Sequence, residues 1–75
     1  IEVIALTEKA KESIYDYKLN KPLSFILGSE DKGISKGILK IVDKKAKIPM
    51  KNKDDSLNVS VACGVTLFEI MRQRQ

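Results

Sequence analysis

The most informative absence in this 75-residue sequence is histidine, of which there is none. Without histidine the chain lacks the commonest metal ligand and the commonest general base, so catalytic triads and a metal site are not expected. Cys63 is the single cysteine and cannot form an internal disulfide, which favours a reduced, cytoplasmic domain. No apolar run approaches the roughly 20 residues of a membrane-spanning helix, so no membrane association is expected.

The composition nevertheless describes a folded domain. Hydrophobic residues make up 43% and charged residues 32%, which fits a globular domain and excludes a disordered tail. A chain of this size buries only about 60% of the surface that it exposes when unfolded, so its core is marginal. The first residue is Ile1 and not methionine, and we therefore expect the chain to be part of something longer.

The positive charge is concentrated in one segment. The net charge is +4, and residues 44–53 carry five lysines and no acid: Lys44, Lys45, Lys47, Lys51 and Lys53. Such a cluster can hold phosphates by charge and counterion release, and the alternative is a solvated lysine-rich loop. No aromatic residue interleaves with the lysines, so an RNA partner would be held by its phosphates and not by base stacking. The RNA-binding candidates are Lys45, Lys47, Lys51 and Lys53.

Strands and helices alternate along the first two thirds of the chain. Residues 1–6 are apolar and partly β-branched, interrupted only by Glu2, and predict a strand. Leu23–Leu27 is a nearly continuous apolar run and predicts a second strand, buried on both faces. Thr7 can cap a predicted helix over residues 8–17. Ser35 can cap a second helix that carries Ile38, Leu39, Ile41 and Val42. This alternation predicts an α/β fold with a parallel sheet and flanking helices.

The C-terminal segment fits two patterns. Residues 57–67 alternate between apolar and small or polar side chains, as a strand does, but they are about twice as long as a usual strand. At helical spacing, one stripe contains Leu57, Val61, Val65 or Gly64, Phe68 and Met71, with Ser56 or Asp55 as the cap. We favour the helix. Because residues 56–68 carry no charge, we expect it to be buried on more than one side.

The glycine-rich segment 28–33 follows the second predicted strand. It is not a phosphate-binding P-loop, because Ile34 stands where that motif needs lysine. Ligands of open α/β sheets lie at the carboxyl ends of strands, and the missing Cβ of Gly28 would let a flat ligand approach the backbone. The alternative is an ordinary turn between strand and helix. Asn58 and Ser60 could likewise line a site or only complete hydrogen bonds, and Cys63 is expected to be a buried, inert thiol.

Three segments together resemble one enzyme family. Residues 27–34 (Leu-Gly-Ser-Glu-Asp-Lys-Gly-Ile) resemble the second signature of the SpoU (TrmH) family of RNA 2′-O-ribose methyltransferases. Residues 48–50 with residues 56–62 resemble the third signature, and residues 68–73 resemble the C-terminal helix of the family. Asp31-Lys32 and the lysine-rich residues 51–53 depart from the usual pattern.

The resemblance implies a SPOUT-type α/β fold with a C-terminal trefoil knot, of which residues 1–75 form the C-terminal, cofactor-binding portion. It also implies that the last segment is a helix and that the cofactor is S-adenosyl-L-methionine. The partners implied are structured RNA, either rRNA or tRNA, and a second copy bound through the C-terminal helix. The cofactor-binding residues would be Leu27, Gly28, Ile48, Met50, Leu57 and Asn58, and the residues facing the reacting ribose would be Glu30, Ser56 and Asn58.

The first signature of the family has no match here. It contains an arginine that activates the ribose hydroxyl, whereas Arg72 and Arg74 belong to the C-terminal helix. We therefore expect that arginine to lie before Ile1 and the chain alone to be inactive as a methyltransferase. The alternative is a non-catalytic RNA-binding or dimerisation module of the same fold.

Overall fold

The computed structural model describes residues 1–28, 33–50 and 58–75. Within these residues three strands, β1 (Glu2–Leu6), β2 (Leu23–Leu27) and β3 (Lys44–Ala46), form one sheet in the order β2-β1-β3. Both pairings are parallel. A short 3₁₀ helix (Ile14–Asp16) follows β1, and two α-helices, α1 (Lys36–Ile41) and α2 (Val59–Arg74), follow β2 and β3. The predicted parallel α/β class is confirmed.

The core lies on one face of this sheet. Ile4 of β1 and Ala46 of β3 are fully buried and form a cluster with Ile14 and Leu19 from the connection between β1 and β2. From α2, Val65 and Ile70 pack against this cluster. Because side chains alternate along a strand, the residues between these positions face the other side of the sheet.

The predicted helix over residues 8–17 is wrong. Thr7 closes only a turn, in which its carbonyl accepts a hydrogen bond from the amide of Ala10 at 3.1 Å. The following residues pair with the extension of β3: the amide of Lys47 donates to Glu12 O at 2.8 Å, and the amide of Ile14 donates to Lys47 O at 2.8 Å. Backbone groups that a helix would use are thus bound to a distant segment, which sequence periodicity does not reveal.

Strand β2 is present where it was predicted, but its burial on both faces is wrong. It lies at the edge of the described sheet, none of its residues is fully buried, and Ser24 is exposed. The central strand is β1, where Ile4 and Ala5 are both 0% exposed. An apolar run therefore marked a strand correctly without showing its position in the sheet.

The helix α1 begins as predicted. The Ser35 side chain caps it by accepting a hydrogen bond from the amide of Ile38 at 3.3 Å. The helix ends at Ile41, so Val42 lies just outside it.

The C-terminal segment is a helix, as favoured, but its cap and its burial differ from expectation. Asn58 is the N-cap residue, and the predicted caps Asp55 and Ser56 lie outside the described residues. Val61, Leu67 and Phe68 are each more than half exposed, so burial on more than one side is wrong for this chain by itself. The exposed apolar side chains are not covered by any other part of the described chain.

Two further expectations concern the chain path and the membrane. The predicted knot remains a prediction, because residues 51–57, which precede α2, lie outside the described residues. Among the helices described, none is sufficiently long and apolar to span a bilayer.

Candidate functional site

The carboxyl ends of the three strands meet at one edge of the sheet. Leu6 at the end of β1 is in register with Leu27 of β2 on one side and with Ala46 of β3 on the other. The ends of β2 and β3 are therefore two strand spacings apart, about 10 Å. Of the predicted cofactor-binding residues, Leu27 ends β2 and Gly28 follows it. Ile48 and Met50 lie two and four residues beyond the end of β3. The structure thus brings both predicted segments to the edge where ligands of open α/β sheets bind.

Gly28 and Gly33 touch each other at this edge. A Cβ on Gly28 would lie 2.3 Å from the carbonyl carbon of Gly33 and 2.6 Å from the nitrogen of Ile34. Gly33 itself has φ +66°, the left-handed conformation that side chains disfavour. The space on the Cβ side of Gly28 is therefore filled by backbone, and the contact of Gly28 with the cofactor stays a prediction. Both glycines are needed to bring the ends of the segment together.

The side chains at this edge are mostly apolar and only partly covered. Leu27 and Ile48 are half-buried, Ile48 packs against the core cluster, and Met50 is 37% exposed. Half-exposed apolar walls beside backbone amides and carbonyls suit an adenine ring, so these residues fit the implied cofactor. Leu57, the remaining apolar candidate, lies outside the described residues.

Of the predicted polar candidates, only Asn58 is described; Glu30 and Ser56 lie outside the described residues. The Asn58 Oδ1 accepts a hydrogen bond from the amide of Ser60 at 2.8 Å and caps α2. Its carbonyl accepts a bond from the amide of Ala62 at 2.8 Å. Asn58 therefore caps the start of α2, where Ser56 or Asp55 was the predicted cap.

The lysine cluster is divided between two faces of the sheet. Lys44 lies 3.4 Å from a carboxylate oxygen of Glu2, and its Nζ is 5.3 Å from the centre of the Tyr17 ring. Burial raises the pKa of Tyr17, with a smaller contribution from Glu12, and the Tyr17 hydroxyl donates to Lys45 O at 2.8 Å. Lys45 is exposed and Lys47 is half-buried, and the other two candidates, Lys51 and Lys53, lie outside the described residues.

Strand β3, and with it this division of the lysines, was not predicted from the sequence. The segment Lys-Lys-Ala-Lys-Ile over residues 44–48 alternates between sites on the core face and sites on the opposite face. That alternation was visible in the sequence, but two apolar residues among three lysines are a weak strand signal.

Both arginines of the chain are held by the C-terminal network. Arg72 binds Glu69 through two hydrogen bonds of 2.7 Å. Arg74 donates to Leu19 O at 3.3 Å and to Lys21 O at 2.9 Å, which ties the end of α2 to the connection before β2. The hydrogen bonds from Arg72, and next those from Gln73, lower the pKa of Glu69 to about 2.

An open apolar groove lies beside the middle and the second half of α2. It has a volume of about 470 Å³ and is lined by Tyr15, Gly64, Val65, Phe68, Glu69 and Arg72. Phe68 is 73% exposed and Met71 is 56% exposed next to it. Cys63 is half-buried, less than predicted. The described residues contain no group of three or more cysteine or acidic side chains that could hold a metal ion.

Comparison with known proteins gives a consistent result. Residues 1–68 match the model of the SpoU rRNA Methylase family. The chain is 45% identical over 74 residues to the 23S rRNA (guanosine-2′-O-)-methyltransferase RlmB of Haemophilus influenzae, covering 99% of this chain and 30% of that protein. It is also 45% identical over 76 residues to the tRNA (guanosine(18)-2′-O)-methyltransferase of Aquifex aeolicus, covering 96% of this chain and 35% of that protein.

A solved structure shows the same likeness in three dimensions. The SpoU methyltransferase AviRb of Streptomyces viridochromogenes, solved in complex with the cofactor AdoMet, superimposes with a TM-score of 0.92 at 27% identity. The match covers 97% of this chain and 29% of AviRb. The chain thus spans about a third of the length of the relatives that it matches.

Proposed function

Because the chain belongs to the SpoU rRNA methylase family, we propose that its protein methylates the 2′-hydroxyl of a ribose in rRNA or tRNA. In this proposal residues 1–75 supply the part that binds S-adenosyl-L-methionine. The observation that carries it is the meeting of the two signature segments at the carboxyl edge of the parallel sheet, with Leu27 and Gly28 on one side and Ile48 and Met50 on the other.

The residues of this chain would bind and orient the cofactor. Ile48, Met50 and Leu57 would form the apolar walls, while the backbone near Leu27, Gly28 and Asn58 would provide hydrogen bonds. When bound, S-adenosyl-L-methionine supplies an electrophilic methyl group. Glu30, Ser56 and Asn58 would face the ribose. We further propose that the C-terminal segment of the chain forms the trefoil knot implied by the resemblance.

Activation of the ribose hydroxyl requires a residue from outside these 75. Arg72 is paired with Glu69, and Arg74 is bound to two backbone carbonyls. Neither guanidinium is therefore placed to stabilise a developing alkoxide at the opposite, carboxyl edge of the sheet. This supports the expectation that the chain alone binds the cofactor without catalysing transfer. A non-catalytic module of the same fold would bind RNA or a second copy but show no methyl transfer in the intact protein.

A second copy is the proposed partner of α2. Val61, Leu67, Phe68 and Met71 expose more than half of their surfaces along this helix. A two-fold symmetric interface would cover the same stripe on both copies. This is the interface that the family resemblance implies.

Calorimetric titration of the intact protein with S-adenosylhomocysteine tests the cofactor proposal. We expect saturable binding, and Met50→Lys should weaken it by about tenfold or more, since a charge would replace an apolar wall. Ile38→Lys is the matched control, because Ile38 on α1 has the same 37% exposure as Met50. No binding at millimolar ligand would refute the proposal, and equal weakening by both variants would remove Met50 from the site.

A further inference from the structure

The side chain of Gln73 joins the end of α2 to the connection before β2. Its Oε1 accepts a hydrogen bond from the amide of Leu19 at 2.6 Å, and its Nε2 donates to Tyr17 O at 3.0 Å. One side-chain amide thus bonds a backbone amide and a backbone carbonyl two residues apart, as the peptide groups of a neighbouring parallel strand do. Glu69 Oε2, one turn earlier on the helix, accepts a second bond from Nε2 at 2.9 Å and holds the Gln73 side chain in this orientation.

Tyr17 extends this connection to β3. Its hydroxyl donates to Lys45 O at 2.8 Å, in the middle of the strand. Its side chain packs against the core cluster and is half-buried. The two bonds, from Gln73 to the Tyr17 carbonyl and from the Tyr17 hydroxyl to Lys45, thus link α2 to β3, and we call this path the Tyr17 bridge. It joins residues that are 28 and 56 positions from Tyr17 in sequence.

The two elements joined by the Tyr17 bridge carry different parts of the proposed cofactor site. Ile48 and Met50 lie two and four residues beyond the end of β3, whereas Asn58 starts α2. The relative position of β3 and α2 therefore sets the distance between these site residues. The helix is about 22 Å long from Asn58 to Gln73, so a tilt of a few degrees moves Asn58 by about 1–2 Å.

Apolar packing leaves this tilt less restricted than the bridge does. Val65 and Ile70 pack α2 against the core, and such contacts are non-directional. A hydrogen bond requires a particular distance and angle, so it restricts both the tilt and the sliding of the helix. Arg74 also holds the end of α2, but its bonds to Leu19 O and Lys21 O reach the connection before β2 and not β3.

We propose that Gln73 and Tyr17 are positioning residues, which hold α2 and β3 at the separation at which S-adenosyl-L-methionine binds between the residues that these elements carry. The proposal rests on the proposed function, and in it neither side chain contacts the cofactor. Opening the Tyr17 bridge lowers the fraction of molecules in which the two elements are correctly placed, and the apparent affinity falls by that fraction. A purely structural role would lower stability but leave the affinity of the folded protein unchanged.

Calorimetric titration of the intact protein with S-adenosylhomocysteine, well below the unfolding temperature of every variant, tests the Tyr17 bridge. Tyr17→Phe removes the hydroxyl and keeps the ring, and Gln73→Met removes the amide and keeps the length of the side chain. Each should weaken binding by about 2- to 10-fold, the range that the loss of one hydrogen bond gives in an equilibrium constant. The double variant should bind no more weakly than the weaker of the two single variants, since either change alone opens the bridge.

Two matched controls separate positioning from stability. Tyr15→Phe removes the same hydroxyl from a tyrosine that lies two residues earlier and is 49% exposed. Ile70→Val removes one carbon from a residue of α2 that packs against the core, which lowers stability and leaves the Tyr17 bridge in place. We expect both control variants to bind S-adenosylhomocysteine as the parent protein does.

Three results would overturn the positioning role while the parent protein still binds S-adenosylhomocysteine, and the proposed function would then stand. They are unchanged binding in Tyr17→Phe and Gln73→Met, equal weakening in either control variant, and a double variant whose loss of affinity is the product of the two single losses. If the parent protein itself does not bind S-adenosylhomocysteine, the proposed function is refuted and the positioning role with it.

Discussion

Gly28 and Gly33 are the two residues of the candidate site at which the backbone geometry disfavours any side chain. At Gly28 the nearest atoms to an added Cβ belong to backbone, at 2.3 to 2.6 Å, and backbone cannot move away as a flexible side chain can. At Gly33 there is space, but φ is +66°. The two glycines are therefore required for different reasons, one for close approach and one for conformation.

Replacing these glycines by alanine separates the two reasons. Gly33→Ala should lower the free energy of unfolding by about 1–2 kcal/mol through its left-handed conformation. Gly28→Ala should cost at least as much, about 1–3 kcal/mol, because the backbone must shift. Gly37→Ala is the control: nothing lies within 4 Å of its added Cβ, and alanine in a helix should raise stability by about 0.5–1 kcal/mol. Urea denaturation measures all three, and a Gly28→Ala variant as stable as Gly37→Ala would contradict the close approach.

Glu69 is the residue whose ionisation the fold controls most strongly. It is 5% exposed, and its carboxylate accepts two hydrogen bonds from Arg72 and one from Gln73. These bonds lower its pKa from 4.5 to about 2. Between these two values the unfolded chain binds a proton that the folded chain does not, so stability rises with pH in this window.

The stabilising contribution of Glu69 should therefore be complete above about pH 4.5 and disappear as the pH falls through about 2. Urea denaturation from pH 7 to pH 2 should show a steeper acid loss in the parent protein than in Glu69→Gln. Glu8→Gln, which removes an exposed carboxylate outside this network, is the control for net charge. Parallel curves for the parent protein and Glu69→Gln would show that the network does not depend on the carboxylate.

At the level of whole elements, α2 depends on Asn58 for its first turn. Removing the cap in Asn58→Ala should cost about 0.5–2 kcal/mol, whereas Asn58→Asp keeps an oxygen that can accept from the amide of Ser60 and should cost little. The pair also separates capping from a role at the cofactor. If Asn58→Asp retains stability but weakens binding of S-adenosylhomocysteine, the side chain acts in the site. If stability and binding change together in Asn58→Ala and both persist in Asn58→Asp, its role is the cap.

The elements that could be predicted from the sequence are those with local signals. Apolar runs predicted β1 and β2 correctly, and Ser35 predicted the start of α1. The predicted helix at residues 8–17 failed because residues 12–14 pair with Lys47, more than 30 residues later. Strand β3 was missed for the same reason, since it is short and is defined by its pairing with β1.

The candidate site was predictable to a similar extent. The resemblance pointed to Leu27, Gly28, Ile48 and Met50, and the parallel register accounts for their position at one edge. The separation of Lys44 from Lys45 and Lys47 was not predicted, because it requires residues 44–46 to form a strand, and that strand is defined by its pairing with β1. The close approach of Gly33 to Gly28 could not be predicted either, since only the folded backbone brings the two residues together.

At the scale of the whole molecule, the core is small while apolar side chains lie exposed on one face of α2. The fully buried or nearly buried hydrophobic residues are few and mostly small or aliphatic, namely Ile4, Ala5, Ala10, Ile14, Leu19 and Ala46. Phe68, the most exposed residue of the α2 stripe, contributes almost nothing to this core because 73% of its surface faces outward. Covering Phe68 and Met71 in a dimer would add apolar burial that the single chain lacks.

Phe68→Lys should therefore weaken self-association without unfolding the chain. Placing a charge at the centre of a symmetric apolar interface repeats it on both copies, and a loss of about 2–4 kcal/mol corresponds to a dimer dissociation constant at least about 30-fold larger. Sedimentation velocity over a range of concentrations measures the change in the intact protein. Ile41→Lys is the control, because Ile41 on α1 is 79% exposed and lies outside the stripe. A dimer that persists in Phe68→Lys, or dissociates equally in Ile41→Lys, would show that α2 does not form the interface.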